Sequence, residues 1–111
     1  MTIQFQFTPR AVNDLDAIWW HIAQDSVRAA NRVESAILSA CASLASRPLQ
    51  APKRPQLTKL PLRFWTISRY PNFLVVYRPD KKPLRVVAVL HGRRDIRSLL
   101  TEIAADETSE P

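Results

Sequence analysis

Two apolar runs constrain this chain more than any other feature: "FLVVYR" at 73–78 and "LRVVAVLH" at 84–91. Short unbroken apolar stretches bounded by turn residues read as strands buried inside a sheet. "PDKKP" between them is a loop. "LRFWTISRY" at 62–70 reads as a third strand, ending at Tyr70-Pro71-Asn72, a turn with proline well placed at its second position. The three segments follow one another as a meander.

The N-terminal half supplies one more strand and the cover. "TIQFQFT" alternates Ile3, Phe5 and Phe7 with polar residues, the period of a strand with one buried face. Thr8-Pro9 fits an N-cap followed by a first helical residue. Beyond it Val12, Leu15, Ile18, Trp19 and Ile22 recur at spacings of three and four, which predicts a helix. A second helix starts near Asp25 or Ser26, with a stripe of Ala30, Val33, Ile37, Cys41 and Leu44, and Pro48 terminates it. So short a break predicts a helical hairpin.

Residues 48–61, "PLQAPKRPQLTKLP", form an irregular basic loop. "RRDIRSLL" reads as a short helix or an extended tail. The predicted fold class is α+β, a two-layer β-α-α-β-β-β arrangement with the hairpin on one face of a mainly antiparallel sheet. Residues 1–101 are expected to form a single domain, and 102–111 an acidic, flexible tail. The sheet's other face is expected to be less apolar and to serve as a binding surface.

No apolar run approaches 18 residues, so no membrane span is expected. "MTIQFQFTPR" lacks the pattern of a signal peptide, and a cytoplasmic location is expected. Cys41 is the chain's one cysteine, which rules out an internal disulfide, and it suits the core. His21 and His91 show no ligand spacing with it, so neither a metal nor another cofactor is expected. His21 reads as an ordinary helix residue.

Charge is the informative global property. The net charge is +6, yet the last ten residues hold four acids and no base. Residues 1–101 carry sixteen basic and six acidic side chains, and twelve of the bases lie between Lys53 and Arg97. Such a surface favours an anionic partner, nucleic acid or acidic protein, over mere solubility.

The single glycine, Gly92, stands in "VLHGRRD" at the end of the last apolar run. It is expected where the strand leaves the sheet, at a positive φ or a close backbone approach. Asp95 reads as structural, orienting an arginine or capping the next helical turn. Arg78 with Asp80, and Arg94 with Asp95, have the alternative of fixing a turn and the tail. Trp19 fits the buried stripe. Trp20 falls off it and Trp65 sits among bases, so both suit packing against a partner more than stacking on a base.

In combination, "FTPRAVNDLDAIWWHIAQDS", "SLASRPLQ", "LRFWTISRYPNFLVVYRP" and "VVAVLHGRRD" resemble the RelE/ParE superfamily of type II toxin–antitoxin toxins. The resemblance covers nearly all of residues 3–100 and is closest to the ParE branch, also described as plasmid stabilisation proteins. It implies a toxin neutralised by a co-expressed antitoxin. The ParE branch is associated with poisoning DNA gyrase, and the RelE branch with cleaving mRNA on the ribosome.

Metal-free RNA cleavage needs groups that move protons and cations that stabilise a phosphate transition state. Lys53, Arg54, Lys59, Arg63, Arg93 and Arg94 are the available cations, and His91 has a suitable intrinsic range. Were the chain a ribonuclease, His91, Arg93, Arg94, Lys53 and Arg63 would carry the reaction. The arginine usual in such enzymes falls at Leu74, however, and the C-terminal tyrosine at Leu100. Gyrase poisoning needs only a gripping surface, for which the candidates are Arg93, Arg94 and Arg97, with Arg63, Arg69 and Arg78. Trp20 and Trp65 are the candidate antitoxin contacts. The antitoxin accounts for the charge: an exposed sheet and a helical-hairpin groove suit an acidic amphipathic helix and an added strand. The expected partners are that antitoxin and gyrase or its DNA complex, then ribosome and mRNA, with no membrane.

Overall fold

Strand β1 (Phe5–Phe7) leads directly into helix α1 (Pro9–Ala23), and Thr8 makes the junction. Its Oγ1 accepts from the Ala11 amide at 3.2 Å, as an N-cap should, while its own amide donates to the Val86 carbonyl at 3.0 Å. Proline follows at the first helical position, where no amide is needed. The computed structural model describes residues 4–92 and 96–108. Ile3, Arg93, Arg94, Asp95 and Glu110 lie outside them.

Helix α2 (Val27–Ser46) begins at Ser26, whose Oγ accepts from the Ala29 amide at 3.0 Å. The predicted stripe is its buried face: Ala30, Val33, Ile37, Cys41 and Leu44. Strands β2 (Arg63–Thr66), β3 (Phe73–Arg78) and β4 (Leu84–His91) complete a four-stranded sheet in the order β1-β4-β3-β2. The meander is antiparallel, whereas β1 pairs parallel with β4 from Phe5↔Leu84 to Phe7↔Val86. β2 is shorter than "LRFWTISRY" suggested. From Ile67 onward the backbone turns, with the Phe73 amide on the Tyr70 carbonyl at 3.0 Å and Pro71 at the expected second position.

Side chains of the sheet alternate between two cores. The first lies under the hairpin, where Val75, Tyr77, Val86 and Val89 meet Leu15, Val33, Ile37, Cys41 and Leu44. Burial pushes the Cys41 thiol up to about 12. The second core corrects two expectations. The sheet's other face is apolar, not a binding surface: Leu62, Phe64, Leu74, Val76, Ala88 and Leu90 pack there with Leu100 and Ile103.

Those last two belong to helix α3 (Ile96–Thr108), which takes the short-helix reading of "RRDIRSLL" and continues it through Thr108, where a flexible tail was expected from Glu102. Burying two such side chains favours the packed helix by roughly 1.5–3 kcal/mol each before the entropy of ordering is counted. Its acids then find bases. Glu102 Oε2 accepts from Arg10 Nη2 at 2.9 Å, and Asp106 Oδ2 from Arg10 Nε at 3.3 Å. Glu107, 8% exposed, is the buried charged residue among those described. It receives Arg78 and Arg85. These cations offset the cost of carboxylates at a helix C-terminus.

Candidate functional site

The fold sorts the arginines into two groups. Arg78 donates to Asp80 through Nη2 at 2.7 Å and to Glu107 through Nη1 at 3.2 Å. The Arg78 guanidinium accordingly holds the Asp80 carboxyl below its usual range. Arg63 Nη1 donates to the carbonyls of Ala51, at 2.7 Å, and Leu49, at 3.4 Å, fixing the proline-rich loop to β2. Beside it the Tyr77 hydroxyl donates to the Pro48 carbonyl at 2.6 Å. Arg54 lies 5.3 Å from the centre of the Phe64 ring. Two residues predicted to grip a target, Arg63 and Arg78, therefore hold the fold's own loops and its last helix.

A second group faces outward. Between α2 and the β2–β3 turn runs an open groove of about 850 Å³. Arg28 and Arg32 lie on its α2 wall, and Arg69 with Trp65 and Tyr70 on the opposite one. Among the described residues none of the three arginines has a carboxylate within salt-bridge distance. Arg69 and Trp65 stand out in the amino-acid sequence, whereas Arg28 and Arg32 do not. Their spacing of four, off the apolar stripe of α2, was the available signal. What brings them to Arg69 is the packing of α2 on the sheet.

Trp65 is half-buried against the hairpin core while lining this groove. Trp20 is 67% exposed and meets Trp19 edge-on, ring centres 5.1 Å apart. Trp19 Nε1 in turn donates to Asn31 Oδ1, on the groove wall, at 2.9 Å. Val27, also exposed, lines the same end of the groove. The aromatic pair thus adjoins the arginine-lined end.

A smaller cavity of about 440 Å³ lies at the end of the sheet where β3 begins and β4 ends. It brings together His21 and His91, over a floor that includes Ile18, Phe73 and Val89. His91 stands edge-on to Phe73 at 5.4 Å. Asp14 Oδ2 accepts from the Val89 amide at 3.0 Å, pinning α1 beside β4. Among the described residues no three histidine, cysteine or acidic side chains form a metal-holding group.

Gly92 follows His91 directly. Its φ is not positive. What it provides is the other expected property, close approach: an added Cβ would stand 3.3 Å from the Asn72 carbonyl oxygen, to which the Gly92 amide donates. Arg93, Arg94 and Asp95 lie beyond it, outside the described residues. Lys53 and Lys59 are exposed on the basic loop, and Arg97 is exposed on the first turn of α3. Leu74 and Leu100, where ribonuclease relatives are expected to carry arginine and tyrosine, both lie in the second core.

The family model of the ParE toxin of the type II toxin–antitoxin system parDE matches residues 5–96. The chain belongs to the ParE toxin family. Among solved structures it is similar to a chain of the chromosomal ParDE TA system from P. aeruginosa, with a TM-score of 0.64 and 23% identity. That likeness covers 81% of this chain and 96% of the other. Among curated proteins none matches in sequence. The ParE match ends at Ile96, the first residue of α3. No helix among the described residues is long and apolar enough to cross a membrane.

Proposed function

We propose that this ParE-family toxin acts on DNA gyrase or its DNA complex by surface grip rather than chemistry, and that a cognate antitoxin with an acidic segment neutralises it. The observation that carries the reading is the groove of Arg28, Arg32 and Arg69, which holds three unpaired guanidinium groups in reach of an anionic partner. Arg93 and Arg94, next in the chain after Gly92, are two further cations that this reading assigns to the target. The occupation of positions 74 and 100 by core leucines supports grip over RNA cleavage. For the antitoxin, Trp20 and Trp65 supply aromatic anchors beside the same arginines, the combination that dominates protein interfaces.

Inducing the chain alone in bacteria tests this. Growth arrest with DNA-damage signalling and accumulated cleaved gyrase–DNA complexes is the expected outcome. Codon-phased mRNA cuts with intact DNA would overturn it in favour of a ribosome-dependent endoribonuclease. Normal growth at confirmed expression would reduce the chain to a non-toxic antitoxin-binding protein.

A further inference from the structure

The α2–β2 groove has a one-sided chemistry. Among the described residues its charged lining is Arg28, Arg32 and Arg69, with no carboxylate beside them. Along α2 the groove is lined by Asn31, Ser35, Ser39 and Ser43, one every four residues. On an α-helix that spacing is a rise of about 6 Å per step. The hydroxyls of Ser35 and Ser39 have no partner among the described residues. Guanidinium groups donate and cannot accept, and the hydroxyls and the Asn31 amide add further donors. A ligand that satisfies such a row offers acceptors and negative charge at regular short intervals. A phosphodiester backbone does so, and serine, asparagine and arginine are among the side chains that hold phosphates without reading sequence.

We infer that this groove binds the phosphodiester backbone of DNA, without base specificity, through Arg28, Arg32 and Arg69. The inference rests on the proposed action on a gyrase–DNA complex, where DNA backbone stands beside the protein target. An acidic antitoxin segment then presents carboxylates to the same guanidinium groups and excludes DNA by competition.

The test uses the purified full chain with a labelled random-sequence duplex and, separately, the single strand of equal length. Binding is followed by fluorescence anisotropy over a salt series. Three phosphate contacts predict a duplex affinity that falls about forty-fold between about 50 and 200 mM salt. Arg28→Ala, Arg32→Ala and Arg69→Ala should each make the slope of log K against log salt shallower by about 0.9 on duplex and about 0.7 on single strand. The paired change Lys81→Ala and Lys82→Ala, in the turn between β3 and β4 away from the groove, should leave it unchanged. The three groove arginines are exposed, so their variants should melt like the parent. Whichever DNA form binds more tightly identifies the source of the backbone.

Absence of DNA binding would overturn the inference. So would a slope that the three variants leave intact. Poly-glutamate is titrated in the same assay as an acidic-protein probe, and variants that lose it but keep DNA would assign the groove to acidic protein instead. A parent chain that traps cleaved gyrase–DNA complexes in cells yet binds no free DNA sinks this inference and leaves the toxin reading standing.

Discussion

Glu107 Oε1, near the end of α3, accepts from Arg78 Nη1 at 3.2 Å, across 29 residues of sequence. It also accepts from Arg85 Nη1 at 3.3 Å. The glutamate side chain is 3% exposed, against 17% and 25% for the two arginines. Removing one member of a buried pair leaves the other charge uncompensated. Glu107→Ala should therefore destabilise the fold by about 2–3 kcal/mol, below the range for wholly buried pairs because the arginines keep some solvent. Arg10→Ala breaks contacts to carboxylates that are more than half exposed, and should cost under about 1 kcal/mol. Urea denaturation of the two variants gives the comparison. Equal losses would contradict it.

Trp20→Ala should leave stability within about 0.5 kcal/mol, since the ring is mostly in water. The same change should weaken binding of the cognate antitoxin by about 2 kcal/mol or more, close to thirty-fold, if the ring is an interface anchor. Calorimetric titration with the cognate antitoxin measures it directly.

The paired change Arg93→Ala and Arg94→Ala should relieve growth arrest while the circular dichroism spectrum and melting temperature stay those of the parent. A variant that fails to fold would make the two arginines structural and leave the target grip to the groove alone.

Gly92→Ala places a Cβ 3.3 Å from the Asn72 carbonyl oxygen, at a φ that alanine tolerates. The turn has to give by a few tenths of an ångström. The expected loss is about 1 kcal/mol or less, well under that of a residue forced into the left-handed region. A shift in melting temperature beyond about 8 °C would show that the site demands more than space.

Cys41 titrates at about 12 when folded, raised by burial from an ordinary value near 9. Between those pH values the unfolded chain has lost a proton that the folded chain keeps. Stability therefore falls as pH rises through this window, at up to about 1.4 kcal/mol per pH unit. Burial also raises the Tyr77 phenol, which adds a fall of the same sign above pH 10. Cys41→Ala should flatten the profile between pH 9 and 10. In the native protein the thiol should resist alkylation at pH 8.5 and react fully in denaturant.

How much of this was legible in the residues depends on distance along the chain. Periods of two and of three to four belong to local backbone geometry, and they located β1, α1, α2, β3 and β4 with their caps and the proline turn. The same period in Ile96, Leu99, Leu100 and Ile103 was followed only to Leu100, as a short helix or an extended tail, because the acids from Glu102 onward suggested a solvated end. The candidate site was less legible. Arg69 and Trp65 stood out, but Arg28 and Arg32 gain their meaning only from a wall that lies some forty residues away in the chain.

The amino-acid sequence by itself determined the elements, the positive charge and the family, since these rest on residue type and short-range spacing. The tertiary structure alone decided which charges are free. Arg10, Arg63 and Arg85 look no different in sequence from Arg28, Arg32 and Arg69, and Arg78 differs only in having Asp80 two residues away. Packing α3 onto the sheet, and the proline-rich loop onto β2, gives Arg10, Arg63, Arg78 and Arg85 acceptors within hydrogen-bond reach. Arg28, Arg32 and Arg69 are left facing the groove. Coulombic and hydrogen-bond energies depend on ångström separations between residues remote in the chain, and only the folded chain sets those separations.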